Sequence, residues 1–249
     1  MYTLDFMSPS ENSNRFSVYF DGFNLYKGSL EKRPNCKWLD LKSLSRSLNP
    51  NGILHDVYYF TAGVKARFPH DRASDRQHSY LRALENSGVK VVRGKFHKSE
   101  KWMRLVNQER DQTIQPPLRA AFGITQRLIN GSWLKSIPDV PKAKVYQFEE
   151  KGSDVNLASY LLKDVFKGKI DMAFVVTGDS DLVSPIRFAT EAGILVNVLV
   201  PGNGQNVNEL RSVATNLVPL NPQSLLRNQF PEILLTSNGR QIRRPNSWR

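Results

Sequence analysis

Residues 171–186, DMAFVVTGDSDLVSPI, join a predicted buried strand to two aspartates. The part before Gly178 is almost wholly apolar, which is typical of a parallel strand covered on both faces. Asp179 and Asp181 follow at once, with one serine between them. Carboxylates in this position either cap and turn the chain or hold a metal ion, and the stretch alone leaves both roles open.

Strand and helix patterns alternate on both sides of this stretch. Strands are predicted at 16–20, 53–62, 89–96, 171–178 and 194–200, and helices at 38–48, 69–86, 118–129, 153–166, 182–193 and 206–214. Ser184 and Pro185 are predicted to begin the helix after Asp181. The alternation predicts an α/β fold with a mainly parallel sheet of about five strands and helices on both faces.

Three segments depart from this alternation. Residues 1–15 are predicted to form an N-terminal arm, and residues 97–147, basic and rich in proline, an insertion or lid. Residues 222–249 are predicted to form a basic C-terminal tail, which is either disordered or docked through Ile242 and Trp248. Residues 16–221 remain as the α/β domain.

Composition narrows the classes of protein. The 249 residues carry a net charge of +12 and an isoelectric point near 9.9, which favours a polyanionic partner such as nucleic acid. The single cysteine, Cys36, excludes an internal disulfide and a cysteine-rich zinc site. Neither a membrane-spanning apolar run nor a secretory signal is recognisable, so we expect a cytoplasmic protein that does not enter membranes; its oligomeric state stays open.

Four aspartates fall where ligands bind in open parallel sheets, outside the carboxyl ends of the strands. Asp21 follows the first predicted strand, and Asp179 and Asp181 follow the fourth. Asp154 begins the helix at 153–166 and shares a side of it with apolar residues. Each aspartate alone fits a turn or helix cap equally well, but their joint placement predicts one shared site.

Close carboxylates repel one another unless a cation lies between them. Oxygen ligands of this kind suit Mg²⁺ or Mn²⁺, and such ions promote hydrolysis at phosphorus. An acidic metal site in a basic protein predicts a phosphodiesterase that acts on nucleic acid.

Further side chains are candidates to support this site. Asn24 is predicted to orient Asp21 or contact phosphate, and Thr177 and Ser180 to bond to the carboxylates, although all three also suit turns. Lys151 is a candidate phosphate ligand. A basic segment with aromatic residues is predicted either to bind a single nucleic-acid strand or to form a solvated loop. Its members are Arg93, Lys95, Phe96, His97, Lys98, Lys101 and Trp102.

Three motifs together resemble those of the NYN domain, in the LabA-like branch of the PIN-like nuclease superfamily. They are FDGFNLY (20–26), EEKGSDVNLASYLL (149–162) and VVTGDSDLVSPI (175–186). The likeness spans residues 16–218 apart from the poorly matched 97–147. Phe23 and Asn156 depart from the usual residues of these motifs, while the acids are retained.

The resemblance implies a three-layer α/β/α sandwich with a PIN-like, Rossmannoid sheet and a ribonuclease site that uses Mg²⁺ or Mn²⁺. Carried over by motif, Asp21, Asp154, Asp179 and Asp181 would be the catalytic and metal-binding acids, with Asn24 beside them. We therefore expect an endonuclease that cleaves RNA, single-stranded or structured, and leaves 5′-phosphate and 3′-hydroxyl ends. The alternative is an RNA-binding or regulatory PIN-like module with little or no turnover.

Overall fold

The computed structural model of the chain describes residues 14–64, 70–104, 142–202 and 207–248. They fall into two compact units, one formed by Met1–Phe96 with Glu150–Arg249 and the other by His97–Glu149. The predicted helix at 118–129 and most of the predicted arm at 1–15 lie outside the described residues.

The described residues form nine strands and seven α-helices. The strands are β1 (Arg15–Asp21), β2 (Ile53–Ala62), β3 (Lys90–Arg104), β4 (Lys142–Lys151), β5 (Met172–Val176), β6 (Leu195–Val200), β7 (Asn216–Pro219), β8 (Ile233–Leu235) and β9 (Gln241–Arg243). The helices are α1 (Gly22–Leu25), α2 (Leu41–Leu48), α3 (Ala73–Asn86), α4 (Ser153–Phe166), α5 (Val183–Glu191), α6 (Asn208–Val213) and α7 (Pro222–Arg227). A π-helix at Tyr26–Leu30 continues α1, and 3₁₀ turns lie at Pro34–Cys36, Ser180–Leu182 and Asn246–Trp248.

Seven strands form one sheet in the order β4-β3-β2-β1-β5-β6-β7. The pairs β1–β2, β1–β5, β2–β3, β5–β6 and β6–β7 are all parallel, which confirms the predicted mainly parallel α/β fold. The chain builds outward from β1 on one side and then returns with β5 on the other, so the strand order reverses between β1 and β5. Two strands beyond the predicted five, β4 and β7, extend the edges.

The two faces of β1 pack against separate layers of helices. Phe16, Val18 and Phe20 are fully buried in a core cluster that includes α2 and α3. Tyr19, on the opposite face, belongs to a second cluster built from α4, α5 and α6. Alternate residues of a strand point to opposite faces, so a strand that is apolar on both must be covered twice. The resulting architecture is the three-layer α/β/α sandwich.

The C-terminal segment is folded along its described length, residues 222–248. It contributes α7, the antiparallel hairpin β8–β9 and the last 3₁₀ turn. Ile242 is buried, and the Trp248 ring lies 6.2 Å from that of Trp38 and 5.9 Å from that of Tyr80. Docking, rather than disorder, is therefore the state of this segment.

Both described ends of the predicted insertion are strands. β3 runs on to Arg104, and β4 begins at Lys142. Within this second unit, Lys144 Nζ lies 2.5 Å from a carboxylate oxygen of Glu100. The intervening residues 105–141 are outside the described part of the chain.

Candidate metal centre

Asp21 lies where β1 ends and α1 begins. Its side chain caps α1 by accepting a hydrogen bond from the backbone N–H of Asn24. The turn depends on Gly22, because a Cβ there would lie 2.5 Å from the carbonyl oxygen of Phe60 in β2. The Asp-Gly pair thus brings the helix start against the neighbouring strand and places the carboxylate at the carboxyl end of the central strand.

Three donors hold the buried Asp21 carboxylate in place. Oδ1 accepts from the backbone N–H of Asn24 at 2.9 Å, and Oδ2 accepts from Asn24 Nδ2 at 2.6 Å and from Thr177 Oγ1 at 3.0 Å. Burial raises the pKa of Asp21 above its ordinary value, and the charge of Asp179 adds to the rise. The hydrogen bonds oppose this shift by stabilising the ionised form.

Thr177 joins Asp21 to the second carboxylate, Asp179. Its fully buried hydroxyl donates to Asp21 and accepts from the backbone N–H of Asp179 at 3.1 Å. Gly178, between them, passes close to Asn24: a Cβ at Gly178 would lie 3.5 Å from Asn24 Oδ1. One threonine therefore links Asp21, at the end of β1, to Asp179, which follows β5.

Asp154 approaches from the helix layer. It lies in the first turn of α4, which begins at Gly152 with a positive φ of 94°, a conformation that favours glycine. Leu157 and Leu161, one and two turns further along, are buried under the sheet. The apolar stripe of α4 thus orients the helix so that its N-terminal turn, and Asp154 with it, lies over the carboxyl end of the central strands.

These three carboxylates converge. One oxygen from each of Asp21, Asp154 and Asp179 lies within 4.8 Å of the other two. The group is at the reversal of strand order between β1 and β5, where open α/β sheets bind ligands. An all-oxygen donor set with one fixed, buried member fits Mg²⁺ or Mn²⁺. A cation would also offset the cost of burying the Asp21 charge near that of Asp179, both of which raise the pKa of Asp21. The residues present therefore fit a divalent metal.

Asp179 both caps a turn and belongs to the group of three carboxylates. Asp179 Oδ1 accepts from the backbone N–H of Asp181 at 3.0 Å and so caps the 3₁₀ turn Ser180–Leu182. α5 then continues directly from that turn, with Leu182 at its N-cap, so the prediction that Ser184 and Pro185 begin the helix is wrong. The 3₁₀ turn capped by Asp179 leads directly into α5, which itself has no side-chain cap.

Asp181 and Ser180 stand apart from the three-carboxylate group. Both are exposed, and Asp181 does not belong to the group of acids that the geometry brings together. Asp181 is tied to the site through its backbone, by the hydrogen bond to Asp179. A direct role for its carboxylate stays a prediction, as does a role for the Ser180 hydroxyl.

The predicted nucleic-acid-binding segment is strand, not loop, since residues 93–102 all lie in β3. Arg93 pairs with Glu85 of α3 at 2.9 Å, and Lys95 is exposed. In the second unit Lys101 is exposed and Trp102 is 68% exposed. The side chains of Phe96, His97, Lys98 and Lys151 lie outside the described part of the structure. RNA binding by this segment stays a prediction.

The fold and the acidic cluster define a class: an α/β/α protein with three converging carboxylates at the reversal of strand order. Comparison with known proteins is more specific, since the family model of the NYN domain matches residues 109–221. The match covers under half of the chain and supports the NYN domain that the motifs resemble, a domain of the PIN-like nuclease superfamily. The matched range contains Asp154 and Asp179 but not β1 and Asp21. In the structure β1 nevertheless lies beside β5, a strand within the matched range, in one sheet.

Two further proteins are similar to the chain. One is the 6-hydroxy-3-succinoylpyridine 3-monooxygenase HspA of Pseudomonas putida, 26% identical over 94% of this chain and 75% of the relative. The other is the crystal structure of a protein of unknown function from Vibrio parahaemolyticus, 14% identical, with a TM-score of 0.45 over 86% of this chain and 97% of that one. Among the described residues, no helix has the length and apolar character needed to span a membrane.

Proposed function

We propose that the protein is a divalent-metal-dependent ribonuclease, an endonuclease that hydrolyses phosphodiester bonds within RNA. The observation that carries the proposal is the approach of carboxylate oxygens from Asp21, Asp154 and Asp179 to within 4.8 Å at the strand-order reversal. The NYN domain and the net charge of +12 support the same substrate class.

Asp21, Asp154 and Asp179 are the residues that would hold Mg²⁺ or Mn²⁺. When bound, such an ion supplies a water of lowered pKa and stabilises charge that develops at phosphorus. Asp21 is the fixed member, because three donors restrict its carboxylate and a rigid ligand keeps the geometry of a small ion. Asp154 and Asp179, half-buried, face both the cluster and the substrate side.

Asp181 takes a different role in this proposal. Asp181 is exposed at the rim, two residues after Asp179, and its backbone N–H is held by the carboxylate of that residue. We assign to it the orientation of the attacking water, or the binding of a second ion, rather than a place among the three converging acids. Ser180 spaces the two aspartates so that one points into the cluster while the other remains at the surface.

Two other functions deserve comparison. A PIN-like module that binds RNA without cleaving it would retain the fold and the basic charge. The Pseudomonas relative carries the name of a monooxygenase, but the described acids form a group of three carboxylates without histidine. That donor set differs from the two-histidine, one-carboxylate pattern of non-haem iron oxygenases, and it is better matched to hydrolysis with Mg²⁺ or Mn²⁺.

The decisive experiment is cleavage of an end-labelled single-stranded RNA by the purified protein in Mn²⁺. We expect internal cuts that leave 5′-phosphate ends, and loss of cleavage with EDTA or in the Asp179→Asn and Asp154→Asn variants. Asp75→Asn is the matched control, because Asp75 lies on α3 with a 72% exposed side chain paired to Arg72. An Asp181→Asn variant then tests whether the carboxylate of Asp181 acts at the rim of the site or together with the three converging carboxylates.

Cleavage that survives Asp179→Asn or EDTA would show that a contaminant or another site acts, and the proposal would fail. Metal-independent RNA binding without cleavage would favour the binding module. Turnover of 6-hydroxy-3-succinoylpyridine by the same preparation, with RNA left intact, would favour the activity that names the Pseudomonas relative.

A further inference from the structure

An exposed aromatic–lysine patch lies on the chain directly after Asp21. It consists of the exposed Phe23, Tyr26, Lys27 and Lys32 and the half-buried Lys37. Phe23 is 56% and Tyr26 38% exposed. They are three residues apart along α1 and the π-helix that continues it, a spacing that places both rings on the same outward side.

The opposite side of this helical segment is anchored in the core. Leu25 and Leu30 are buried, and Gly28 touches the loop after β6: a Cβ at Gly28 would lie 2.7 Å from the carbonyl oxygen of Pro201. The segment begins at the Asp21 cap and is held at both ends. The patch therefore has a fixed position relative to the carboxylate cluster.

The lysines of the patch surround a single glutamate, Glu31. Lys27 Nζ lies 2.6 Å from Glu31, and Lys37 Nζ lies 5.3 Å from the centre of the Tyr26 ring. The pKa of Glu31 is lowered by the hydrogen bond from Lys27 and also by the charges of Lys37 and Lys32. Three ammonium groups against one carboxylate leave the patch positive.

Neither component is unusual alone, since single exposed aromatics and lysines are common on protein surfaces. Their combination is what single-stranded nucleic acid requires: flat apolar rings on which bases stack, and cations that meet the backbone. An acidic peptide would satisfy the lysines but would offer the rings no bases on which to stack. A polyanion that carries its own stacking groups matches both.

We propose that this patch binds the RNA strand next to the bond that is cut, with Phe23 and Tyr26 stacking on unpaired bases and the lysines contacting phosphates. The inference rests on the proposed ribonuclease function and adds a substrate preference to it, single-stranded over duplex RNA. Bases in a duplex are already stacked on each other, so the rings gain contact only with an open strand.

The test measures binding of a fluorescein-labelled RNA in EDTA, where no metal-dependent cleavage occurs. We expect Phe23→Leu to weaken binding of the single strand about tenfold, the size typical of one base–aromatic stack, and to leave duplex binding unchanged. Lys37→Gln should reduce the slope of log K against log salt by about 0.7, the contribution of one phosphate contact on a single strand.

Matched controls lie at the far end of α4. Phe166 is 73% exposed and Lys167 is exposed, and both stand roughly 20 Å along the helix from Asp154. Phe166→Leu and Lys167→Gln remove the same ring and the same charge away from the site. Equal effects of patch and control substitutions would overturn the inference.

Cleavage in Mn²⁺ separates the two proposals. If Asp179→Asn abolishes cleavage while Phe23→Leu alters neither binding nor KM, the ribonuclease stands and the patch fails. If the patch variants weaken binding as expected but the wild-type protein never cuts, the patch stands and the ribonuclease fails.

Discussion

Thr177 connects two acids of the cluster, so we expect its hydroxyl to contribute both to stability and to metal binding. Replacing it with valine keeps the shape of the side chain but removes the donor to Asp21 and the acceptor for the N–H of Asp179. A hydrogen bond to a charged group contributes about 1.5–3 kcal/mol, and an orphaned backbone donor costs about 1–3 kcal/mol.

Because the two effects share one hydroxyl and Asp179 is only half-buried, we expect Thr177→Val to lower the free energy of unfolding by about 3 kcal/mol. For a chain of this size the midpoint of thermal unfolding should then fall by roughly 6–12 °C. Urea denaturation in EDTA measures the change without a contribution from bound metal. The affinity for Mn²⁺, titrated separately, should fall as well.

Thr177→Ser is the control, since serine keeps the hydroxyl and loses one methyl group, worth about 1 kcal/mol. The reasoning would be refuted if valine were as stable as the wild type, or if serine were as damaging as valine. Either result would mean that packing of the methyl group, and not the bridging hydroxyl, holds this part of the structure together.

Three further predictions concern the carboxylate group and the turn at Gly22. Free Mn²⁺ at a hundred times its Kd should stabilise the protein by about 2.7 kcal/mol, measured as a rise of roughly 5–11 °C in the unfolding midpoint, and Asp21→Asn should remove most of that rise. In EDTA the raised pKa of Asp21 means that the folded state binds more protons than the unfolded state just above pH 3.8. The free energy of unfolding should therefore decline as the pH rises from 3.8 through the pKa of Asp21 in the folded state. In urea melts at a series of pH values, Asp21→Asn should flatten this dependence of stability on pH. Gly22→Ala should destabilise by about 1–3 kcal/mol because its Cβ would lie 2.5 Å from the carbonyl oxygen of Phe60, whereas Gly63→Ala, whose Cβ would meet nothing within 4 Å, should have little effect in the same melts.

The parallel sheet was predictable because each of its central strands is an apolar run long enough to be covered twice. Residues 53–62 were predicted as a strand and are β2, and the predicted helix at 153–166 is α4. Such elements carry their signal locally, in the spacing of buried residues. The short strand β7, which ends at Pro219, and the hairpin β8–β9 carry little periodicity, since their place depends on neighbours far along the chain.

The approach of Asp21 and Asp179 was predicted from the rule for strand ends, and that of Asp154 from its place on the apolar side of a helix. Asp181, predicted as a fourth member, lies outside the group of three among the described residues. The finer contacts were not predictable, because they are tertiary. That Asp179 caps the 3₁₀ turn while joining the cluster depends on where α5 starts, and the sequence offered Ser184 and Pro185 as a competing start. A hydrogen bond from Thr177 to a carboxylate was predicted, but its particular pair of partners, Asp21 and the backbone N–H of Asp179, depends on two strands that meet only in the folded sheet.

The position of β1 at the middle of the sheet has a consequence for synthesis of the protein. Asp21 and Thr177 are 156 residues apart, and β5, which closes the other side of β1, is made only after most of the chain. Pairings this distant in sequence are slow to form. On a growing polypeptide, β1 would pair with β2 while its other edge, which later pairs with β5, stayed unpaired. Asp21 and Asp179 could not come together until the ribosome had passed residue 179. The proposed metal site would thus assemble only after most of the chain has been made.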